Sequence, residues 1–283
     1  DFTWWCNFFR IFENAKITAS FSPDFKKVAL GGHLKFTAWS LENSQKLFES
    51  DTNLGGTGGA NSLAFSPDGK LLAGGENGSL QVVDTVRWGV RLRWDAKTMY
   101  PNPEGLTVGA FTFSKDGRFF AFSVGKGQEV PNEIHLFDLV SRKLLRTLKG
   151  HTHGVSLAFS PNSRFFVSGG RDRTVQFWDL SKTNPLPKPV AVLKRSAVPP
   201  VLCVAWSPDG KLVAAGDSEG NITFFEGSET AGFVEIPDLF FRKAHEGMVS
   251  TLDFSPNSKR IVTGGTDKLV KIWTIPSRPV DNQ

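Results

Sequence analysis

The chain has 283 residues, 40% of them hydrophobic and 22% charged, with a formal net charge of +5. This is the balance of a globular protein with a substantial core, and no apolar run reaches the roughly 18 residues that suggest a membrane-spanning helix. The charge excess is mild, so it permits an acidic partner without demanding one.

The chain opens on "DFTWWCNFF", which lacks the basic-then-apolar layout of a signal peptide. The start reads as a processed end or a boundary within a larger, multidomain protein. The apolar stretch Trp4–Phe12 stands alone, ahead of everything that repeats. The first repeating element follows as "SFSPDF" from Ser20. Further copies are "AFSPDG" from Ala64, "TFSKDG" from Thr112, "AFSPNS" from Ala158, "AWSPDG" from Ala205 and "DFSPNS" from Asp253. Their aromatic residues, Phe21, Phe65, Phe113, Phe159, Trp206 and Phe254, are spaced by 44, 48, 46, 47 and 48 residues. A near-constant period over most of the chain marks a repeat architecture.

Each copy has the same grammar. An alternating apolar segment leads into Ser-Pro-Asp/Asn-Gly/Ser, a turn in which Pro presets the backbone and Asp, Asn and Gly tolerate the bend. A second apolar run follows ("KLLAGG", "RFFVSGG", "RIVTGG"), then a polar turn, a third strand ("SLQVVD", "TVQFWD", "LVKIWT") and a looser fourth ("KLLRTL", "PVAVLK"). Four short antiparallel strands per repeat predict a propeller blade, whose faces are buried by stacking on its neighbours. Blades are expected to start near residues 16, 59, 107, 154, 200 and 248 of a single domain spanning 1–283. The third copy separates Phe113 from Phe137 by 24 residues, and the excess is expected in a longer second-to-third-strand loop, "VGKGQEVPNE". Trp88 and Trp94 flank the fourth strand of the second copy, and the sequence leaves open whether they are buried.

Gly150-His151 and Trp178-Asp179, with the nearly complete copy from Ala244-His245 to Trp273, resemble the WD40 repeat family over roughly residues 16 to 275. The resemblance implies an all-β, WD40-type β-propeller. Trp4–Phe12 is then expected to complete the last blade, where "SRPVDNQ" leaves no good fourth strand. Six four-stranded blades result, with an incomplete seven-bladed ring as the other possibility.

His151, Ser168 and Asp172 are the residue types of a hydrolase triad, but the set recurs. His151 precedes Trp178 by 27 residues and His245 precedes Trp273 by 28, while Ser168 and Thr263 each stand four before Asp172 and Asp267. A repeated set is structural: in this family the matching residues form a hydrogen-bonded chain from the Trp178 and Trp273 indoles to the aspartates. A buried indole N–H needs an acceptor, and each later group supplies one and needs another. The other copies carry Leu30, Gly74, Phe122 and Ala215 at the hydroxyl position and are expected to hold together by packing.

No catalytic set, metal cluster or cofactor motif stands out. "GGTGG" at Gly55–Gly59 has no Lys-Ser/Thr and no following helix to make it a phosphate loop. Cys203, in the strand "VLCVAW", reads as a buried free thiol, and both it and Cys6 are taken as reduced. This favours a reducing compartment such as the cytoplasm.

With the four strands of a blade lettered a to d in chain order, the leading expectation is a non-catalytic scaffold module that binds a protein or peptide on the face built by the b–c and d–a loops. Candidate contact residues there are Glu76, Tyr100, Lys126, His153, Arg171, Arg173, Met248, Thr266 and Lys268. The alternative is an anion-binding module for nucleic acid or acidic lipid. It would use the a–b turn rim, where Lys26, Lys27, Lys70, Lys115, Arg118, Arg164, Lys211, Lys259 and Arg260 face Asp24, Asp68, Asp116 and Asp209.

Overall fold

The turns between first and second strands show how the sequence sets the architecture. In the computed structural model, Ser66 Oγ donates to Asp68 Oδ1 at 2.6 Å and accepts the Leu71 N–H at 2.9 Å. Ser22, Ser114 and Ser207 make the same pair of bonds, to Asp24 and Lys27, to Asp116 and Phe119, and to Asp209 and Leu212. These serines are buried because both roles of the hydroxyl are satisfied. The turn then passes through a left-handed residue, Gly69 at φ 68° or Gly210 at φ 74°, where glycine carries no steric penalty.

The structure describes residues 18–276 apart from 32–34, 51–61, 77, 103–104, 127–129, 152–154, 182–188, 190, 195–198 and 229–231. Among the described residues, twenty-three strands form six antiparallel sheets, each a simple meander in chain order. The first sheet contains β1 (Thr18–Phe21), β2 (Lys27–Gly31), β3 (Phe36–Ser40) and β4 (Lys46–Glu49). The second contains β5 (Ser62–Phe65), β6 (Leu71–Glu76), β7 (Ser79–Asp84) and β8 (Val90–Asp95), followed by a single helical turn, Ala96–Met99. The third contains β9 (Thr107–Phe113), β10 (Phe119–Lys126), β11 (Val130–Asp138) and β12 (Lys143–His151). The fourth contains β13 (Val155–Phe159), β14 (Phe165–Gly170), β15 (Thr174–Asp179) and β16 (Ala191–Lys194). The fifth contains β17 (Val201–Trp206), β18 (Leu212–Asp217), β19 (Ile222–Ser228) and β20 (Gly232–Phe241), and the sixth β21 (Val249–Phe254), β22 (Arg260–Gly265) and β23 (Val270–Thr274). The excess residues of the third copy do not make a long loop. They lengthen β10 and β11 to eight and nine residues, so that the hairpin itself projects further.

First strands pack side by side in the order β1, β5, β9, β13, β17, β21, which is the blade arrangement of a propeller. Five apolar clusters fill the five successive interfaces, and every cluster contains phenylalanine: Phe36, Phe120 and Phe122, Phe166, Phe177 and Phe225, Phe224 and Phe254. Burial of a large apolar side chain stabilises by about 1.5–3 kcal/mol, so these interfaces carry the fold. Trp94 is buried between the second and third blades, whereas Trp88 is half-buried and stacks on Phe48 at 5.5 Å. Blade six differs. Among the described residues it has three strands, and Val262, Val270 and Ile272 on one face are 38%, 75% and 69% exposed. The expected closing strand, Trp4–Phe12, lies outside the described residues.

Candidate functional site

The two repeated sets form continuous hydrogen-bonded chains. In blade four, Trp178 Nε1–H donates to Ser168 Oγ at 2.9 Å, which lies 2.7 Å from His151 Nε2. His151 Nδ1 is 3.1 Å from Asp172 Oδ2, and Asp172 also accepts from the Thr174 hydroxyl at 2.7 Å. In blade six, Trp273 Nε1–H donates to Thr263 Oγ1 at 3.0 Å, which lies 2.8 Å from His245 Nε2, and His245 Nδ1 is 2.8 Å from Asp267 Oδ1. A single direction satisfies every group: indole to hydroxyl, hydroxyl to Nε2, Nδ1–H to carboxylate. His151 and Ser168 are 1% and 0% exposed, so neither reaches a substrate.

Glycines make room for the imidazoles. A Cβ on Gly170 would strike His151 Nδ1, and one on Gly265 would strike His245 Nδ1. Burial pushes the Asp267 carboxyl up. The hydrogen bonds from His245 and from the Leu269 and Glu246 N–H groups outweigh that and hold it at about 2.

These chains end beneath the loop face, where the expected contact residues sit. Arg171 and Arg173 flank Asp172 in the β14–β15 turn and are exposed. Thr266 and Lys268 flank Asp267 in the β22–β23 turn. Met248, 41% exposed, is tied to Thr266 by two bonds: its N–H to Thr266 Oγ1 at 2.9 Å, and the Thr266 N–H to its carbonyl at 3.0 Å. Gly220, at φ 86°, lies so close that a Cβ would strike the His245 and Gly247 carbonyls, and its own carbonyl accepts the His245 N–H at 3.1 Å. Glu76 and Lys126 end β6 and β10 at the same rim, and His153 lies outside the described residues.

Tyr100 is placed differently. Its hydroxyl donates to Glu133 Oε2 at 2.6 Å and lies 2.9 Å from His135 Nε2. Thr147 Oγ1 is 3.4 Å from His135 Nδ1, and Lys149 Nζ is 2.8 Å from Glu133. Blade three is therefore not held by packing alone, as its sequence suggests. It has a polar chain of its own, in which Tyr100 reaches in from the connection before the blade as His151 does in blade four. His135 occupies the strand position of Gln81 and Gln176. Burial holds its imidazole below the usual histidine range, in its neutral form. The sequence signal was a polar residue inside a buried third strand, but nothing repeats it.

On the opposite rim, four of the nine expected cations are spent within the fold. Lys26 pairs with Glu42, Lys70 with Asp68, Arg118 with Asp138 and Arg164 with Asp179. Glu42, Asp138 and Asp179 follow or end third strands, so the first-to-second-strand turns alone do not show them as partners. Among the described residues no cluster of side chains could hold a metal ion, and no helix is long and apolar enough to cross a membrane. Cys203 is buried, and that burial pushes its thiol up to about 12, which leaves it unreactive.

The chain matches the family described as "WD domain, G-beta repeat" at residues 49–84, 142–179, 187–226 and 238–274, together more than half its length. The unmatched stretch between the first two segments holds β9 to β11, the blade with the tyrosine-based chain. It is 26% identical to "Protein groucho" of Drosophila melanogaster over 217 residues, 76% of this chain, and spans 27% of that relative's length. A chain in the "Crystal Structure of Mitotic Checkpoint Complex" superposes with a TM-score of 0.73 at 17% identity, over 94% of this chain and 76% of that one, a likeness of fold. With six blade-like sheets, two Trp-to-Asp hydrogen-bonded chains and four matched repeats, the chain belongs to the WD40 repeat family.

Proposed function

We propose that the protein is a non-catalytic recognition module that binds a protein or peptide on the face formed by the b–c turns and d–a connections. One observation carries this reading: exposed Arg171, Arg173 and Lys268 stand on turns held from below by buried His151 and His245, with exposed Met248 tied to the second of them. Turns already held rigid need no backbone ordering on binding, and Arg and Met suit interface anchors. Anion binding on the opposite rim has less support, because four of its cations already hold carboxylates.

The test is capture from lysate at two salt concentrations, with mass spectrometry of what is retained. Proteins held at both salts and lost from an Arg171→Glu, Met248→Ala variant are the expected result. Retention of only nucleic acid or lipid, released by salt, would overturn the reading.

A further inference from the structure

We propose that a pocket on the a–b/c–d rim, between blades two and three, docks an acidic peptide segment of a partner protein through one apolar anchor side chain. The pocket is independent of the loop face and lies at the other end of the blades. Its volume is about 230 Å³. Leu71, Leu92 and Leu139 form its floor and pack on the cluster between the two blades, so an apolar group seated there continues the core. Val140 at the mouth is 78% exposed. That size falls below the roughly 300–1,000 Å³ of small-molecule sites. It suits a single aliphatic or aromatic side chain projecting from an extended segment.

Charge selects the neighbour of that anchor. Three aspartates line the pocket, and each is already engaged. Asp68 is 3.5 Å from Lys70, Asp84 is 2.6 Å from Arg91 Nη2, and Asp138 is 3.0 Å from Arg118 Nη2. Hydrogen bonds from the Arg87 N–H and from Arg91 hold the Asp84 carboxyl at about 2, so it stays charged and paired. Arg142, also in the lining, makes no ion pair among the described residues. The unspent charge at the mouth is therefore one guanidinium beside an apolar floor, which matches a carboxylate next to an apolar side chain. A nucleic-acid backbone fits poorly, because its repeated phosphates meet one unpaired guanidinium and an apolar floor that offers a phosphate nothing.

The experiment selects short random peptides by phage display on the full chain, then measures the enriched peptides by fluorescence polarisation. Peptides that pair an acidic residue with an apolar one, and lose about tenfold or more in affinity on Arg142→Glu or Val140→Asp, are expected. Both positions are exposed turn residues, and unchanged melting temperatures will show that the variants fold. Arg171→Glu, on the opposite rim, should leave these peptides bound. Enriched peptides that are basic, or that bind Arg142→Glu undiminished, overturn the pocket. Peptides lost on Arg171→Glu but kept on Arg142→Glu also overturn it, while supporting the loop face. Failure to enrich any peptide overturns it too.

Discussion

Blades four and three meet the same requirement with different chemistry. Each must bury the face that turns toward the preceding blade while a polar group comes in from the connecting loop. Blade four uses an indole, a hydroxyl, an imidazole and a carboxylate in a line, and both of its middle strands are wholly buried. Blade three puts Phe122 where Ser168 stands and Phe137 where Trp178 stands. The ring of Phe122 lies against both Phe137, at 5.7 Å, and His135, at 5.3 Å. Its polar bonds have moved outward to Tyr100, Glu133 and Lys149, where the tyrosine is half-buried. Fully buried polar groups cost most when one partner is lost, so the same kind of substitution should hurt blade four far more.

The largest effect is expected from Trp178→Ala, which removes a side chain 2% exposed and strands the Ser168–His151 bond. A loss of about 3–5 kcal/mol is anticipated, measured by urea unfolding. Ser168→Ala comes next. It leaves the Trp178 N–H and His151 Nε2 without a partner and should cost about 2–4 kcal/mol. Tyr100→Phe should cost about 1–2 kcal/mol, since Glu133 keeps Lys149 and only His135 Nε2 loses a close partner. Equal losses for Ser168→Ala and Tyr100→Phe would erase the distinction between the two blades.

The contrast also explains what the sequence could and could not disclose. The period, the Ser-Pro-Asp-Gly turns and both Trp-to-Asp chains were legible because each is local or recurs at a fixed offset. The blade-three chain was not, because Tyr100, Glu133 and His135 come from separate elements and occur once. The partners of the rim cations were hidden for a related reason. Asp138 and Asp179 end third strands, twenty and fifteen residues from the Arg118 and Arg164 they bind, and only the fold shows them as partners. Of the expected contact residues, Arg171, Arg173, Thr266 and Lys268 flank the motif aspartates Asp172 and Asp267, so their place in the turns was legible. Tyr100 was read as a surface anchor because its loop was legible and its destination was not.

The smallest predicted effect isolates His135. Burial lowers its pKa from the usual 6.5, with Glu133 pulling the other way and Lys149 adding to the fall. A histidine that stays neutral when folded but protonates when unfolded leaves stability unchanged above pH 6.5. As the pH falls below that value, the unfolded chain takes up a proton that the folded chain refuses, and stability drops. His135→Gln places in blade three the residue that blades two and four carry as Gln81 and Gln176. It should change stability by less than about 1 kcal/mol at pH 7.5, while flattening the decline between pH 7 and pH 5.5. Asp267→Asn acts in a separate window. The Asp267 carboxyl, held at about 2 when folded against 3.8 when unfolded, contributes stability that is lost as the pH falls from about 4 toward 2. Urea melts across both ranges separate the two groups. If His135→Gln leaves the slope between pH 7 and pH 5.5 unchanged, the tyrosine-based chain does not hold a neutral imidazole, and its polar contribution rests on Tyr100, Glu133 and Lys149 alone.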